Sequence, residues 1–594
     1  MTPHDPATLR FLLHDVHRCT ELLERERYAH LDADALELFL GSAEQLAGRD
    51  LQPLFRTMDR ESPRLEDGRV RVHPGMRPLL RAFGEGGWIR AMAPLADDGL
   101  QVPAVWSNAC LFVFGAANYS ATAFPYLSAG NAGLLAAFAE PALKDRYLPL
   151  LFEGRWQGTM ALTEPEAGSS LADLRTTATP LPDGRYRLRG QKIYISCGDH
   201  DAADGVLHAM LARIEGAPPG TKGISLFAVP REREEPAGSG TYVPNDVQTA
   251  GVYHKMGYGG APIVHLMVGE QDDCIGELIG EPHQGLACMF RMMNEARVAV
   301  GLNAASIASA AYRASRAYAR TRRQGRPPGE RDPAAEPVPI ERHADVKRLL
   351  LAQKAMVEGA LSLLVRCSRW ADDIESAPSP QRERAQRLLD LTTPVAKSWP
   401  SEAALRAVSD GVQVLGGAGY LADHPLEQLY REARIHPIHE GTTAIHGMDL
   451  LGRKLARDQG RALREWLAGV EEDLMAAAET PGPDALVPGF RQTLARLQAV
   501  TAALAQRGLA QGAEAYLADA TLYLEAFGLV AVAREWLAMG TAVVRGDRPE
   551  AFRRGKLAAM RYFHAYELPR AEGLFRQLEK PDPVTLDTDP AWID

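Results

Sequence analysis

The sequence is poor in aromatic residues, at 7%, and holds only six cysteines in 594 residues. Cys19, Cys110, Cys197, Cys274, Cys288 and Cys367 stand far apart and form no CxxC pair. This excludes a zinc knuckle, a dithiol redox couple and a disulfide-stapled scaffold, and the thiols read as reduced core residues of a cytoplasmic protein. Basic charge is not in excess: 66 Lys and Arg face 76 Asp and Glu, a net charge of −10. Nothing therefore pulls the chain generally toward nucleic acid or anionic lipid. The N-terminal stretch MTPHDPATLRFLLHDVHRC lacks the basic flank, apolar run and small-residue cleavage site of a secretory signal. No GxGxxG follows a strand-like run and no GxxxxGK[ST] occurs, so neither a Rossmann dinucleotide site nor a P-loop has local support. A long uninterrupted apolar run is missing as well. Residues 99–139 carry no charge over 41 positions, yet Ser107, Asn108, Asn118, Ser120, Pro125, Ser128 and Asn131 break them up. A membrane helix needs about 20 consecutive apolar residues, so this stretch predicts helix buried in a large fold or lining an apolar cavity.

What is present is a chain with 46% hydrophobic and 24% charged residues, long enough for about four folding units. Residues 1–156 show helical spacing in LRFLLHDV, LELFLGSAEQLAG and MRPLLRAFGEGGWI. Residues 157–285 break into short runs (RYRLRG, KIYIS, VLHAMLARI, GISLFAVP, IVHLMVG) parted by PDG, PPGTKG and YGGAP, which predicts an antiparallel β domain. Helical patterns return over 286–457, interrupted by the Pro-rich surface loop 325–339, and a further helical region follows at 458–594. The fold class is thus α+β: helical, β, helical bundle, helical addition.

Three segments carry candidate chemistry. The first, Thr159 to Ser170 (TMALTEPEAGSS), combines hydroxyls with a glycine-permitted turn that exposes backbone N–H groups, an arrangement suited to a flavin edge or a phosphate. The second is Gly190 to Gly198 (GQKIYISCG), where Tyr194 and Ser196 share a strand face. The third joins VQVLGGAGY (412–420) to YREARIHPIHEGTT (430–443). A metal reading of His436, His439, Glu440 and His446 fails because HxxHE is not HExxH and Pro437 disrupts helix between the first two.

In this order the three segments resemble the acyl-CoA dehydrogenase family of flavoproteins, over residues 80 to 457. The length and the helical addition are most similar to the family's longer subgroup with an extra C-terminal helical domain. The resemblance implies FAD-dependent removal of one proton from the α carbon and one hydride from the β carbon of an acyl-CoA, giving the trans-2-enoyl thioester. Glu440 then matches the α-proton base. Met160, Leu162, Thr163, Ser169, Tyr194, Ser196 and Thr442 match flavin contacts. Arg322, Gln413, Gly416 and Gly417 match the FAD-binding positions shared with a neighbouring subunit, which implies a homodimer or a higher homo-oligomer. Asn294, Arg297 and Gly441 match substrate contacts, and the acceptor implied is an electron-transferring flavoprotein.

The chain departs from the pattern at several places. His439 replaces an aromatic residue just before the base, His446 a common Gln, Ser170 a common Asp, and Ala96 to Gly99 a Gly-rich turn. These changes leave open an oxidase or a dehydrogenase of carrier-bound acyl groups. A rival of another class, a non-catalytic flavoprotein binding nucleic acid, would use Arg313, Arg316, Arg320, Arg322, Arg323, Arg326 and Arg331 on phosphates. The uncharged stretch falls where the family's helices wall the acyl pocket, and no membrane span is expected.

Overall fold

The structure, a computed structural model, describes residues 2–236 and 238–594, with the side chains of 290–294 left undescribed. Residues 31–296 form one unit, and residues 297–594 together with 1–30 form the other.

In the first unit, helix α1 (Ala33–Leu46) starts where the Asp32 carboxylate accepts the Ala35 N–H at 2.7 Å. That bond satisfies one of the donors a helix start leaves over. The uncharged stretch becomes one 35-residue helix, α2 (Ala104–Phe138), of which 24 residues are buried. It is a core helix, and its few polar residues are the points where it is shaped and docked. Asn118 leaves helical geometry (φ −164°, ψ 96°); its Nδ2 donates to the Leu51 carbonyl at 3.2 Å, while its Oδ1 accepts the Ala121 N–H at 3.1 Å and restarts the helix. Further along, Ser128 Oγ accepts the Gly158 N–H at 3.0 Å, and Asn131 Nδ2 donates to the carbonyls of Thr159 and Leu207 at 2.9 and 3.1 Å.

Helix α3 (Pro141–Phe152) leads into strand β1 (Trp156–Ala161), and Gly158 is what lets α2 lie so close to it. A Cβ there would stand 2.6 Å from Asn131 Cβ and 3.0 Å from Ser128 Cα. Gly158→Val should therefore pry helix from strand and lower stability by about 1–3 kcal/mol, the usual cost of overpacking. Urea unfolding followed by circular dichroism measures it, and an unchanged midpoint would show that the two elements part freely.

Strands β2 (Thr177–Pro180), β3 (Tyr186–Ser196), β4 (Gly205–Ile214), β5 (Ile224–Pro230), β6 (Val247–Val252), β7 (Ile263–Val268) and β8 (Ile275–Ile279) complete an eight-stranded sheet with β1. Its order is β6-β7-β3-β8-β5-β4-β1, with β2 beside both β3 and β4. Most pairs are antiparallel, as the short runs predict, but β1 and β2 run parallel to β4. Neither is joined to β4 by a tight turn, so no hairpin dictates their direction. Leu188, Ile195, Met210, Phe227, Val264 and Leu266 are among the buried residues of the core.

The second unit is helical. It contains α4 (Gly285–Thr321) from Arg297 onward, α5 (Ala344–Ser376), α6 (Gln381–Leu415), α7 (Leu426–Ala433) and α8 (Thr443–Asp449). The addition supplies α9 (Arg461–Ala478), α10 (Val487–Gln511), α11 (Ala520–Arg545), α12 (Glu550–Tyr562) and α13 (Arg570–Glu579). This addition is wound into the bundle rather than hung on it. A Cβ on Gly528 of α11 would stand 2.4 Å from the Trp399 ring of α6, and one on Gly359 of α5 would stand 2.7 Å from Trp536 Nε1 of α11. Trp536 itself donates to the Ala355 carbonyl at 3.0 Å.

Residues 513–545 are, among the described residues, the one stretch long and apolar enough to cross a bilayer, and 83% of its most apolar window is buried in protein. A helix surrounded by others reads as hydrophobic all round, so this is a core helix. Its charges are paired: Glu535 accepts from Ser362 Oγ at 2.7 Å and Arg366 Nε at 2.5 Å, and Arg534 donates to Asp473 at 2.6 Å. The first thirty residues, grouped by periodicity with the helices up to 156, join this unit instead. Tyr28 donates to Asp372 at 2.9 Å, and Lys556 of α12 donates to Thr8 at 2.6 Å. Helical spacing says that a face is buried, not which core buries it.

Candidate active site

The flavin-contact candidates of the first unit sit where β1 and β3 end. A register shift between β7 and β3 leaves an extra residue on β3, and Tyr194 takes a left-handed conformation (φ 58°) there. The bulge lets the Ile193 N–H reach the Thr163 carbonyl at 2.9 Å, which ties the loop after β1 to β3. Tyr194 is 59% exposed and its ring lies 4.8 Å from that of Tyr253, whereas Ser196 is half-buried. Met160, near the end of β1, and Leu162 and Thr163 of the loop are half-buried, and Ser169 is exposed.

Two residues that lie within the motifs, but to which the pattern assigns no role, hold this loop in shape. Lys192, fully buried, donates to Glu164 Oε1 at 2.8 Å, the Leu211 carbonyl at 2.7 Å and the Leu162 carbonyl at 3.2 Å. Glu164 also accepts the Arg175 and Thr176 N–H groups at 2.6 and 3.1 Å. Burial pulls the Lys192 pKa down to about 8 against the pull of Glu164. Burial pushes Glu164 the other way, but Lys192 and the Thr176 donors outweigh it and hold the carboxylate below its ordinary range. A carboxylate accepting several N–H bonds freezes the turn that follows it.

Glu440 belongs to the second unit, in the irregular turn between α7 and α8. It too is left-handed (φ 53°), and Gly441 follows at φ 93°. Few residues other than glycine adopt this conformation in succession, and a Cβ on Gly441 would stand 2.9 Å from His446 Nε2. The turn is closed by the Thr443 N–H donating to the Pro437 carbonyl at 3.1 Å, and Thr442 caps α8 by accepting the Ile445 N–H. His446 Nε2 donates to the Glu440 carbonyl at 3.1 Å. His436 Nδ1 and His439 Nε2 lie 3.2 Å apart, so the histidine that replaces the aromatic residue is engaged with its neighbour.

Lys397 of α6 reaches the turn from below. Its Nζ donates to the carbonyls of His436 and Gly441, each at 2.6 Å. Burial raises the Glu440 carboxyl above its ordinary range, and the nearby charges of Arg297 and Lys397 pull it partly back. A half-buried carboxyl displaced upward is what a general base acting near neutral pH requires. Arg297 is buried and stands 3.7 Å from Asp449, which also pairs with Arg453 at 2.7 Å. The structure thus brings together Glu440, Gly441, Thr442 and Arg297 of the sequence-derived set. The Asn294 side chain lies outside the described residues.

Gln413, Gly416 and Gly417 form the exposed C-terminal end of α6, where Gly416 (φ 60°) stops the helix. Arg322 is exposed at the end of α4. Other members of the arginine strip are engaged locally: Arg320 faces Glu341 at 3.9 Å, and Arg326 donates to the Ala335 and Pro333 carbonyls of its own loop at 2.5 and 2.8 Å. Lys397 and Asp449 are not legible as site residues in the sequence. The one signal for the first is that Lys397 is the single charge in the eleven-position run from Leu391 to Ser401.

Comparison with known proteins identifies the family. Three family models match: the acyl-CoA dehydrogenase middle domain at residues 159–269, the acyl-CoA dehydrogenase C-terminal domain at 283–455, and an acetyl-CoA dehydrogenase C-terminal-like domain at 466–589. A 3-methylmercaptopropionyl-CoA dehydrogenase of Ruegeria pomeroyi is 36% identical over 452 residues, 76% of each chain. A broad-specificity linear acyl-CoA dehydrogenase of Mycobacterium tuberculosis is 32% identical over 480 residues, 78% of this chain and 76% of that one. Among solved structures, ACDH-11 of Caenorhabditis elegans in complex with C11-CoA superposes with a TM-score of 0.76 at 20% identity, covering 99% of this chain and 95% of that one. An acyl-CoA dehydrogenase of Bacillus anthracis complexed with FAD gives a TM-score of 0.61 at 21% identity, covering 92% and 95%. With the β domain, the helical bundle and the helical addition matched in order, and a relative more than one third identical over 76% of its length, the chain belongs to the acyl-CoA dehydrogenase family of flavoprotein oxidoreductases.

Proposed function

We propose that the protein uses FAD to dehydrogenate an acyl-CoA thioester to the trans-2-enoyl-CoA, with Glu440 as the base that takes the α proton. The observation that carries the reading is the Glu440 carboxyl itself: desolvated, raised above its ordinary range, and held in a left-handed turn beside Arg297 and Lys397. The α proton of a thioester is weakly acidic, so the carboxylate must be poorly solvated and the incipient enolate oxygen must meet a donor. The Glu440 backbone N–H serves as that donor. Arg297 and Gly441 bind the thioester arm beside it.

The loop from Met160 to Ser169, with Tyr194 and Ser196, fits FAD. Its hydroxyls and amide donors are neutral, and Gly168 has open space around its α carbon, as a flavin edge and a pyrophosphate require. When bound, FAD supplies the acceptor for the β hydride. Arg322, Gln413, Gly416 and Gly417, all exposed on the single chain, serve the FAD of a second copy in a homodimer. An electron-transferring flavoprotein is the acceptor, and six buried free cysteines support a reducing, cytoplasmic setting.

Anaerobic mixing with a panel of saturated acyl-CoAs of graded length tests the reading. The yellow holoenzyme should bleach with some member of the panel and turn over with an electron-transferring flavoprotein. Rapid peroxide release in air would favour an oxidase, and bleaching by acylated carrier protein alone would move the substrate class.

A further inference from the structure

Lys397 carries a charge in an odd place. It lies inside α6, its accessible surface is 0%, and its neighbours Val395, Ala396, Ser398 and Trp399 are all buried. An ammonium taken out of water is costly unless its donors are used, and this one spends two of them on backbone. The two carbonyls it engages belong to His436 and Gly441, four residues before the base and one after. They bracket a segment whose conformation is itself strained, since a non-glycine residue rarely holds φ 53° unless its surroundings impose it. His446 takes the carbonyl of Glu440, inside the same bracket. The turn is therefore held from α6 and α8 at three of its carbonyls.

We propose that Lys397 is a positioning residue for the base. By clamping the carbonyls on both sides of Glu440, it holds the left-handed turn in which the carboxylate and the Glu440 N–H are presented together. This rests on the reading of Glu440 as the base. An ammonium suits the task because it has three donors and no acceptor, so it can serve two carbonyls and still act on the carboxylate by charge.

The groups facing Glu440 are few and separable. Arg297 reaches it from α4, itself paired with Asp449. Lys397 comes from α6, where Glu402 is occupied by the Thr443 hydroxyl at 2.7 Å. His436, His439 and His446 are kept neutral by burial. The acid limb of the rate profile then belongs to the carboxyl, and Lys397 is one of two cations that set its position.

The test uses full-length, FAD-loaded enzyme as wild type, Lys397→Met, Lys397→Arg and Glu440→Gln, with flavin content and melting temperature as folding controls. Lys397→Met should lose about 10- to 100-fold in kcat, as a misplaced reacting group does, with KM little changed. Its acid limb should move to higher pH. Lys397→Arg, which restores charge and donors, should recover much of the rate and return the limb toward wild type. A readout free of turnover is the infrared carboxyl band that Glu440→Gln removes: it should titrate at higher pH in Lys397→Met. If Lys397→Met does not fold, the same two shifts are required of Lys397→Gln. A lower melting temperature with unmoved limb and unmoved carboxyl band would make Lys397 a tether only and overturn the proposal. A fully active Glu440→Gln would instead overturn the assignment of the base.

Discussion

Glu440→Gln should keep its yellow colour and lose about two to four orders of magnitude in kcat, the usual contribution of a positioned general base. The substitution is nearly isosteric, so it leaves the left-handed turn, the Lys397 bonds to the flanking carbonyls and the Glu440 N–H in place. What it removes is basicity. Substrate affinity should change little, because proton acceptance stabilises the transition state and not the bound substrate. The sharpest measurement separates the proton from the hydride: exchange of the α proton of an acyl-CoA in heavy water should stop in the variant, whether or not an electron acceptor is present. Exchange at the wild-type rate would refute the role. Glu440→Asp is the graded companion, since it keeps the base but draws it back by one methylene and should fall between the two.

Stability should drop steeply on mild acidification. His200 and His208 in the first unit are fully buried, and burial lowers each to about 3. In the second unit His446 falls to about 3, while His17 and His436 are held well below the ordinary imidazole range by the same cause. Each ring is uncharged in the fold but takes up a proton in the unfolded chain below its ordinary pKa of about 6.5. The unfolded state therefore binds more protons, and stability rises with pH through this window and is lost as pH falls from about 6.5 toward 3. Each such histidine contributes a slope of up to about 1.4 kcal/mol per pH unit below that point, so five together should dominate the acid limb of stability. Urea midpoints taken across pH 8 to 5 check this. His208→Gln, which keeps a polar group beside the Thr159 hydroxyl at the other end of a 2.7 Å bond, should flatten the slope by one such increment. A flat midpoint from pH 7 to 5 would mean that these rings protonate inside the fold.

Much of the candidate site was legible because its residues are contiguous. Hydroxyls and glycine in TMALTEPEAGSS, and HEGTT after a proline, are local patterns, and the positive φ values at Tyr194, Glu440 and Gly441 are the local conformations those patterns serve. Periodicity likewise announced the helices, including the Pro-rich loop that parts two of them. What escaped were the supports. Lys192 closes on Glu164 from 28 residues away, and Lys397 on Gly441 from 44, and neither spacing follows any secondary-structure period. The uncharged stretch reads as buried helix and forms one, but its role as one kinked helix docked on β1 through Ser128 and Asn131 depends on a partner strand that no local pattern specifies.

The same division holds for the C-terminal addition. Its composition says only that it is helical, and residues 513–545 are apolar enough to pass for a bilayer span. Packing decides otherwise: Gly528 and Gly359 allow α11 to press against Trp399 and carry Trp536 into α5, and Gly447 of α8 lies so close to Ala520 that a Cβ would stand 2.8 Å from its carbonyl carbon. The helix that follows Glu440 is thus backed by the addition. The sequence by itself determined the element types, the three motifs and the candidate for the base, because these depend on neighbours in the chain. Only the tertiary structure decided which core each helix joins and which buried cations brace the active turns, because burial and charge pairing depend on residues the chain brings together from far apart.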